Sequence, residues 1–296
     1  MISSLFLVGR DRYERVMEGW VDNTHEDAFT HTVTMTDDDG AIEFRAVCTP
    51  SPSYEIRDAE GRVRTGSVDP AILERLERLK GARMVGGFSK LLAEVCGVGP
   101  GAGLFVEAGV EAARLTRQVT KLPREATSGF DPRDARRCWD LDMAGWPEFP
   151  NSCFTYSKAG RALLDERAVS VSMGPELYAA PPGARRIFVR KKRSRLVLTG
   201  RRLHLFHSMH DNVHGFDVHY ELDLDAGTVV AADSITSRLP YAGVCTEPQG
   251  RIAAMIGQPA DRALRKRAQT LLGGEAGCAQ LYDLTADLLK LVTFTG

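Results

Sequence analysis

Five of the 7 histidines fall between His204 and His219, in the run His204-Leu-Phe206-His207-Ser208-Met209-His210-Asp211-Asn212-Val213-His214-Gly215-Phe216-Asp217-Val218-His219. Near neutral pH only histidine changes charge at its unperturbed pKa, so this run gathers acid/base and metal-ligand capacity in one place. Two kinds of chemistry follow. A zinc or iron site needs two or three imidazoles and a carboxylate converging on one point, and His207, His210, Asp211 and His214 supply that set if the segment turns helically. Against this, Phe206, Met209, Val213 and Phe216 form no helical stripe, and Asn212 and Gly215 favour a loop feeding a strand. The other chemistry needs no metal and no cofactor: His210 or His214 takes a proton while Asp211 or Asp217 orients the ring. Spacing does not choose between the two histidines, and a solvated loop with ordinary surface histidines is the plain alternative. We adopt the cofactor-free reading.

A second polar and aromatic stretch, Pro150-Asn151-Ser152-Cys153-Phe154-Thr155-Tyr156-Ser157-Lys158, offers Tyr156 as an acid, a base or an oxyanion donor. Arg238 and Tyr241 follow a predicted strand, where loops often carry function. The expected site is therefore His210, His214, Asp211, Tyr156 and Tyr241 for catalysis, with Arg238, Asn151, Ser152, Asn212 and Phe216 around the substrate. Several common chemistries lack their signatures. Tyr156 and Lys158 do not have the spacing of short-chain dehydrogenases, and no Gly-x-Gly-x-x-Gly follows a strand. Gly99-Pro-Gly101-Ala-Gly103 lacks the Lys-Ser/Thr of a phosphate loop. Cys153 and Cys278 sit in no nucleophile motif, and no Gly-x-Ser-x-Gly elbow is present.

The elements that must position these residues come in a repeated order. Asp27 to Thr36 alternates apolar and polar residues, the period of a half-buried strand. Asp37-Asp-Asp-Gly40 turns the chain, and Ala41 to Val47 returns. Asp69-Pro70 opens a helix that Gly81 stops. A glycine cluster then precedes a helix from about Leu104 to Val119. In the C-terminal half, strand His214–Asp223, turn Leu224–Gly227, returning strand Thr228–Ala232, a Pro248-opened helix, a glycine cluster and a helix over about Cys278–Val292 follow in the same order. Laying Asp27–Tyr54 on His214–Tyr241 without a gap matches Phe29, Asp38, Gly40, Thr49 and Tyr54 to Phe216, Asp225, Gly227, Thr236 and Tyr241. The expected fold is α+β: two related antiparallel-sheet-plus-helix repeats packed as a pseudo-dimer, 1–120 and 185–296, with 121–184 a linker and inserted segment. Leu5 to Val8 and then Tyr13 to Trp20 read as a short strand or hairpin, and Arg185–Arg202 as strand, turn, strand, turn.

At 296 residues, with 43% hydrophobic and 26% charged residues, the chain has the composition of an ordinary globular protein. A formal net charge of -1 gives no global attraction to nucleic acid or an anionic membrane. Nine of the eighteen positions Arg185–Arg202 are Lys or Arg, but no stacking aromatics interleave them, so the strip reads as a solvated hairpin face. No apolar run is long enough to span a bilayer, and the N-terminus lacks a basic region and cleavage site. The 6 cysteines are widely spaced and read as reduced thiols in a cytoplasmic protein, a possible homo-oligomer with no nucleic-acid or membrane partner.

Three stretches resemble a bacterial family of unknown function: His214-Gly-Phe216-Asp-Val218, Leu239-Pro-Tyr241-Ala-Gly-Val-Cys245 and Leu272-Gly-Gly274-Glu-Ala-Gly-Cys278-Ala-Gln-Leu281. The resemblance covers roughly residues 185–294 and, as a degenerate copy, 1–120. Where the family has His-Asp-Met and Gly-Cys-Thr-His-Leu, this chain has His-Gly-Phe and Gly-Cys-Ala-Gln-Leu. Members it resembles are associated with bacterial aromatic catabolism, among them lyases that release formaldehyde from lignin-derived aromatic diols. The resemblance implies a cofactor-independent carbon–carbon lyase acting on a small aromatic substrate. His210 or His214 would be the base, and Tyr156, Tyr241 or Arg238 would steady a phenolate or help the hydroxymethyl group leave.

Overall fold

A computed structural model describes residues 2–294. Its centre is one eight-stranded antiparallel sheet. In chain order the strands are β1 (Ile2–Ser3), β2 (Arg12–Asp22), β3 (Phe29–Asp37), β4 (Gly40–Cys48), β5 (Ile56–Gly66), β6 (Ser170–Val171), β7 (Phe188–Thr199), β8 (Arg202–Asp211), β9 (Gly215–Asp223), β10 (Thr228–Arg238), β11 (Tyr241–Ala242) and β12 (Thr293–Phe294). The large sheet runs β10-β9-β8-β7-β2-β3-β4-β5, so two four-stranded meanders meet where β2 lies antiparallel to β7. The short strands form two ribbons, β1 with β12 and β6 with β11. The protein is thus a mixed α and β fold built on a large antiparallel sheet.

The helices are α1 (Pro70–Arg75), α2 (Phe88–Cys96), α3 (Ala102–Leu115), α4 (Ala135–Gly145), α5 (Lys158–Glu166), α6 (Glu176–Ala179), α7 (Leu264–Leu272) and α8 (Ala279–Lys290). Asp69 caps α1 through its side chain, with Pro70 at the first position. Leu104, Phe105, Ala108, Ala112 and Leu115 make the buried stripe of α3, and Leu281, Leu284 and Leu288 that of α8. Both helices lie on the same side of the sheet, α3 across β2, β3 and β4, and α8 across β8 and β9. Gly19 of β2 allows the approach of α3: a Cβ there would come within 2.8 Å of the Leu115 side chain.

Strand alternation decides which residues face the helices. In β7 these are Phe188, Arg190, Lys192, Ser194 and Leu196, all buried. Two cations therefore point inward. Lys192 Nζ meets Glu111 of α3 at 2.6 Å and Asp287 of α8 at 3.3 Å. Arg114 of α3 meets Asp287 at 2.6 Å and Asp283 at 3.0 Å. This buried ion cluster ties both long helices to the central strand.

Several elements differ from the sequence reading. Tyr13 to Trp20 is neither a short strand nor a hairpin; it belongs to the eleven-residue central strand β2. Arg185–Arg202 is not a hairpin either: Phe188 to Thr199 is one strand, and two of its five cations, Arg190 and Lys192, are buried beneath the sheet instead of solvated. Strand β5 was not anticipated, because Arg57, Asp58, Glu60, Arg62 and Arg64 hide the alternation on an exposed edge. The stretch His204–Asp211 is strand β8, followed by a tight Asn212–His214 turn, where a loop was expected. The gapless match lays β3 on β9 and β4 on β10, while in the sheet the two four-stranded meanders are joined antiparallel at β2 and β7.

Candidate functional site

Strand β8 disperses the histidine run. His204, Phe206 and His210 point to the open face of the sheet, where His204, Phe206 and His219 stack with ring centroids 4.6 to 6.3 Å apart. His210 is half-exposed there, 3.5 Å from Asp217. His207 points the other way, buried beneath α8, with its Nδ1 3.1 Å from the Leu284 carbonyl. Of the five, His214, in the β8–β9 turn, is the one that lines the aromatic cavity described below. The His207, His210 and His214 metal set therefore cannot converge. Among the described residues no group of three or more His, Cys, Asp or Glu is arranged to hold a metal ion.

The turn that presents His214 is built by Asp211. Its Oδ1 accepts the backbone N–H groups of Val213 and His214 at 2.8 and 2.6 Å, a local Asx-type closure. The same carboxylate lies 3.1 Å from His214 Nδ1. With Nδ1 donating to Asp211, Nε2 is the nitrogen left to accept a proton. On its far side Asp211 takes Nε and Nη2 of the fully buried Arg190 at 2.8 and 2.7 Å. Burial alone would raise the Asp211 pKa, but His214 and Arg190 hold it well below the usual carboxylate range. Arg190, Asp211 and His214 thus form a fixed line ending at the cavity.

The cavity has a volume of about 380 Å³ and lies between the second meander and the segment that follows α3. Trp146, Phe149, Tyr156, Tyr178, Phe216 and Tyr241 give it an aromatic lining. Asp142 of α4 is a second ionisable group in the wall. It is buried on the inner stripe Ala135, Cys138, Leu141, Asp142 and Gly145. Three phenols converge on its carboxylate: Tyr156 at 2.8 Å, Tyr178 at 2.7 Å, and Tyr241. None of the ion pairs among the described residues includes Asp142, and burial raises its pKa to about 6 despite the three phenol donors. Burial also pushes all three tyrosine pKa values up, so these groups are proton donors, not phenolates, at neutral pH.

Cys153, Cys245 and Cys278 complete one side of the wall. All are free, and burial raises their pKa values, to about 11 for Cys153 and about 12 for Cys245. They are thiols rather than poised nucleophiles.

The structure brings together Tyr156, Tyr241, His214, Phe216 and Ser152 at the cavity, with Asp211 behind His214. It does not bring His210, Arg238, Asn151 or Asn212 to it. Arg238 is exposed and braces the turn by donating to the Asp211 carbonyl. Asn212 is exposed and its Oδ1 accepts the Val189 N–H at 2.8 Å. Asn151 adopts φ 60°, a left-handed position asparagine tolerates, and bends the loop before Tyr156. Asp142 and Tyr178 were missed. The signal for Asp142 was present: a carboxylate falls in register with Ala135, Cys138 and Leu141 on an otherwise apolar helix stripe.

Comparison with known proteins adds one relation. Residues 195–293 match the model of a family described as a protein of unknown function, DUF2889. The matched part runs from β7 into β12 and holds Asp211, His214, Tyr241 and Cys278, but not Asp142, Tyr156 or Tyr178. No curated protein and no solved structure matches the chain.

Proposed function

We propose that the protein is an acid–base lyase of small hydroxylated aromatic compounds, cleaving a carbon–carbon bond and releasing formaldehyde without a cofactor. The observation that carries this reading is the pairing in one aromatic cavity of an Asp-braced imidazole, His214, with a carboxyl group, Asp142, whose pKa of about 6 allows it to donate a proton. A base and an acid in one cavity are what a redox-neutral elimination needs.

In a diaryl compound bearing a benzylic hydroxyl next to a carbon that carries a hydroxymethyl group, His214 Nε2 takes the hydroxymethyl O–H proton. The hydroxymethyl carbon becomes formaldehyde as its bond to the chain breaks. The released electron pair forms the carbon–carbon double bond, the benzylic C–O bond breaks, and its oxygen leaves as water with the proton of Asp142. No electrons enter or leave, and the returning proton on His214 restores Asp142 through solvent. Tyr156, Tyr178 and Tyr241 hold the Asp142 carboxyl in place and stabilise it after it has lost its proton.

Incubation with a panel of such diols, followed for formaldehyde and for the stilbene absorbance of the second product, tests the reading. Equal amounts of both products support it; no turnover across the panel counts against it. We also propose that the two meanders with their helices are related copies that share the central β2–β7 pairing, and that the segment 121–184 was recruited to close the cavity over the second one. The symmetric strand order and the parallel placement of α3 and α8 support this.

A further inference from the structure

One part of the cavity wall is unlike the rest and is not used by the proposed chemistry. Past the end of α3, Arg117 and Gln118 reach the cavity from the first half of the chain. The neighbouring Arg114 is neutralised by Glu111, Asp283 and Asp287. Arg117 is not: none of the ion pairs among the described residues includes it. Its Nη1 donates to the Ala113 carbonyl at 2.9 Å and its Nη2 to that of Met84 at 3.1 Å. The guanidinium lies over the Tyr54 ring, 5.1 Å from its centre. The Tyr54 hydroxyl is engaged by Glu148, whose carboxylate is also 3.4 Å from Ser51 Oγ.

Glu148 lies two residues beyond Trp146, which supplies a second observation. The Trp146 side chain is 3% exposed and lines the same cavity, yet its indole N–H is buried with no acceptor. A buried donor without a partner costs on the order of one hydrogen bond, and such groups are retained where a ligand completes them. The cavity thus holds a guanidinium without an ion pair, the Gln118 amide, whose Nε2 donates to the Arg114 carbonyl at 3.3 Å, and an orphan indole N–H, while the carboxylate beside them, Glu148, is engaged by the Tyr54 hydroxyl. Arginine is the residue best matched to a planar carboxylate, through two parallel N–H contacts.

We propose that this part of the cavity binds a carboxylate, so that the substrate is an aromatic acid and not a neutral aromatic alcohol. Arg117 supplies the charge, and Gln118 and Trp146 supply further donors. The inference rests on the reading of the cavity as a small-aromatic site and narrows it to acids.

Binding of 4-hydroxycinnamate and of its methyl ester to the full chain, followed by calorimetry and tryptophan fluorescence at pH 7.5, tests it. The acid is expected to bind at least tenfold more tightly than the ester. Arg117→Gln should abolish that preference while ester affinity stays within about twofold, and Arg117→Lys should keep part of it. Thermal melts of both variants confirm folding, and the acid-to-ester ratio of the unmodified protein stands without them. An ester that binds as tightly as the acid overturns the carboxylate site but leaves the aromatic cavity standing. Saturable binding of neither compound overturns both.

Discussion

Asp142 is the residue on which the site is most sharply defined, because its environment opposes its charge. Its pKa is raised from 3.8 to about 6 by burial, so the folded state holds a proton that the unfolded chain has already lost over that interval. Stability from this group is full below pH 3.8 and is lost as pH rises through 6. At neutral pH the ionised carboxylate therefore costs up to roughly 3 kcal/mol. Asp142→Asn keeps an acceptor for the phenols and removes the charge. It should raise the melting temperature at pH 8, leave it nearly unchanged at pH 4, and lower turnover by about 100-fold or more. Melting curves at the two pH values beside a formaldehyde assay check this. For the unmodified enzyme, kcat/KM should fall as pH rises through 6, because the acid form of Asp142 does the work; a rate that climbs over the same range contradicts the assignment. Sequence reading reached His214, Asp211, Tyr156 and Tyr241 but not Asp142 or Tyr178. The register of Asp142 with the apolar stripe of α4 is visible in the sequence, but burial without a counter-ion and the three phenols that close on it are properties of three-dimensional surroundings.

At the scale of elements, alternation along strands explains most of what was legible and most of what was not. Paired apolar positions marked β3, β4 and β9 plainly. In β7 the same alternation was masked, since Lys and Arg occupy both faces. The inward Lys192 holds Glu111 and Asp287 between two helices, and breaking a buried ion cluster by removing one partner is expensive. Lys192→Met should destabilise the protein by about 3 kcal/mol or more, while Lys191→Ser, one position along on the open face, should change stability by less than about 0.5 kcal/mol. Urea unfolding of the pair measures both; equal small effects would show that the cluster carries no weight. The histidine run is the opposite lesson. Proximity in sequence put five imidazoles within sixteen residues, but the two-residue period of β8 sent His204 and His210 to one face and His207 to the other, and left His214 in the turn and His219 on β9.

For the molecule as a whole, two neutral imidazoles lie buried under the sheet. His31 is 1% exposed, its nitrogens make no well-formed hydrogen bond, and burial lowers its pKa to about 3; burial lowers that of His207 to about 4. Unfolding releases both to their ordinary value near 6.5. Their contribution is complete above pH 6.5 and is lost as pH falls toward 3 to 4. Because the two imidazoles together outweigh the opposing gain from Asp142, urea midpoints should drop from pH 7 to pH 4, and His31→Leu should flatten that slope. No helix among the described residues is long and apolar enough to cross a membrane, in keeping with the composition. Strands and long helices could be read from the sequence, but not the single eight-stranded order that joins both halves across β2 and β7. Residues 56–66 form an edge strand whose charged residues hide its two-residue period. The cavity was invisible for a related reason: it forms only where the inserted segment folds back over the second meander.

The account stands on the cavity, not the open face of the sheet, being the place of reaction, and two single substitutions decide between them. With formaldehyde release as the readout, His214→Ala should lower kcat/KM by about 100-fold or more while His210→Ala stays within about twofold of the unmodified protein. The reverse pattern, or equal effects of the two in folded protein, would contradict it.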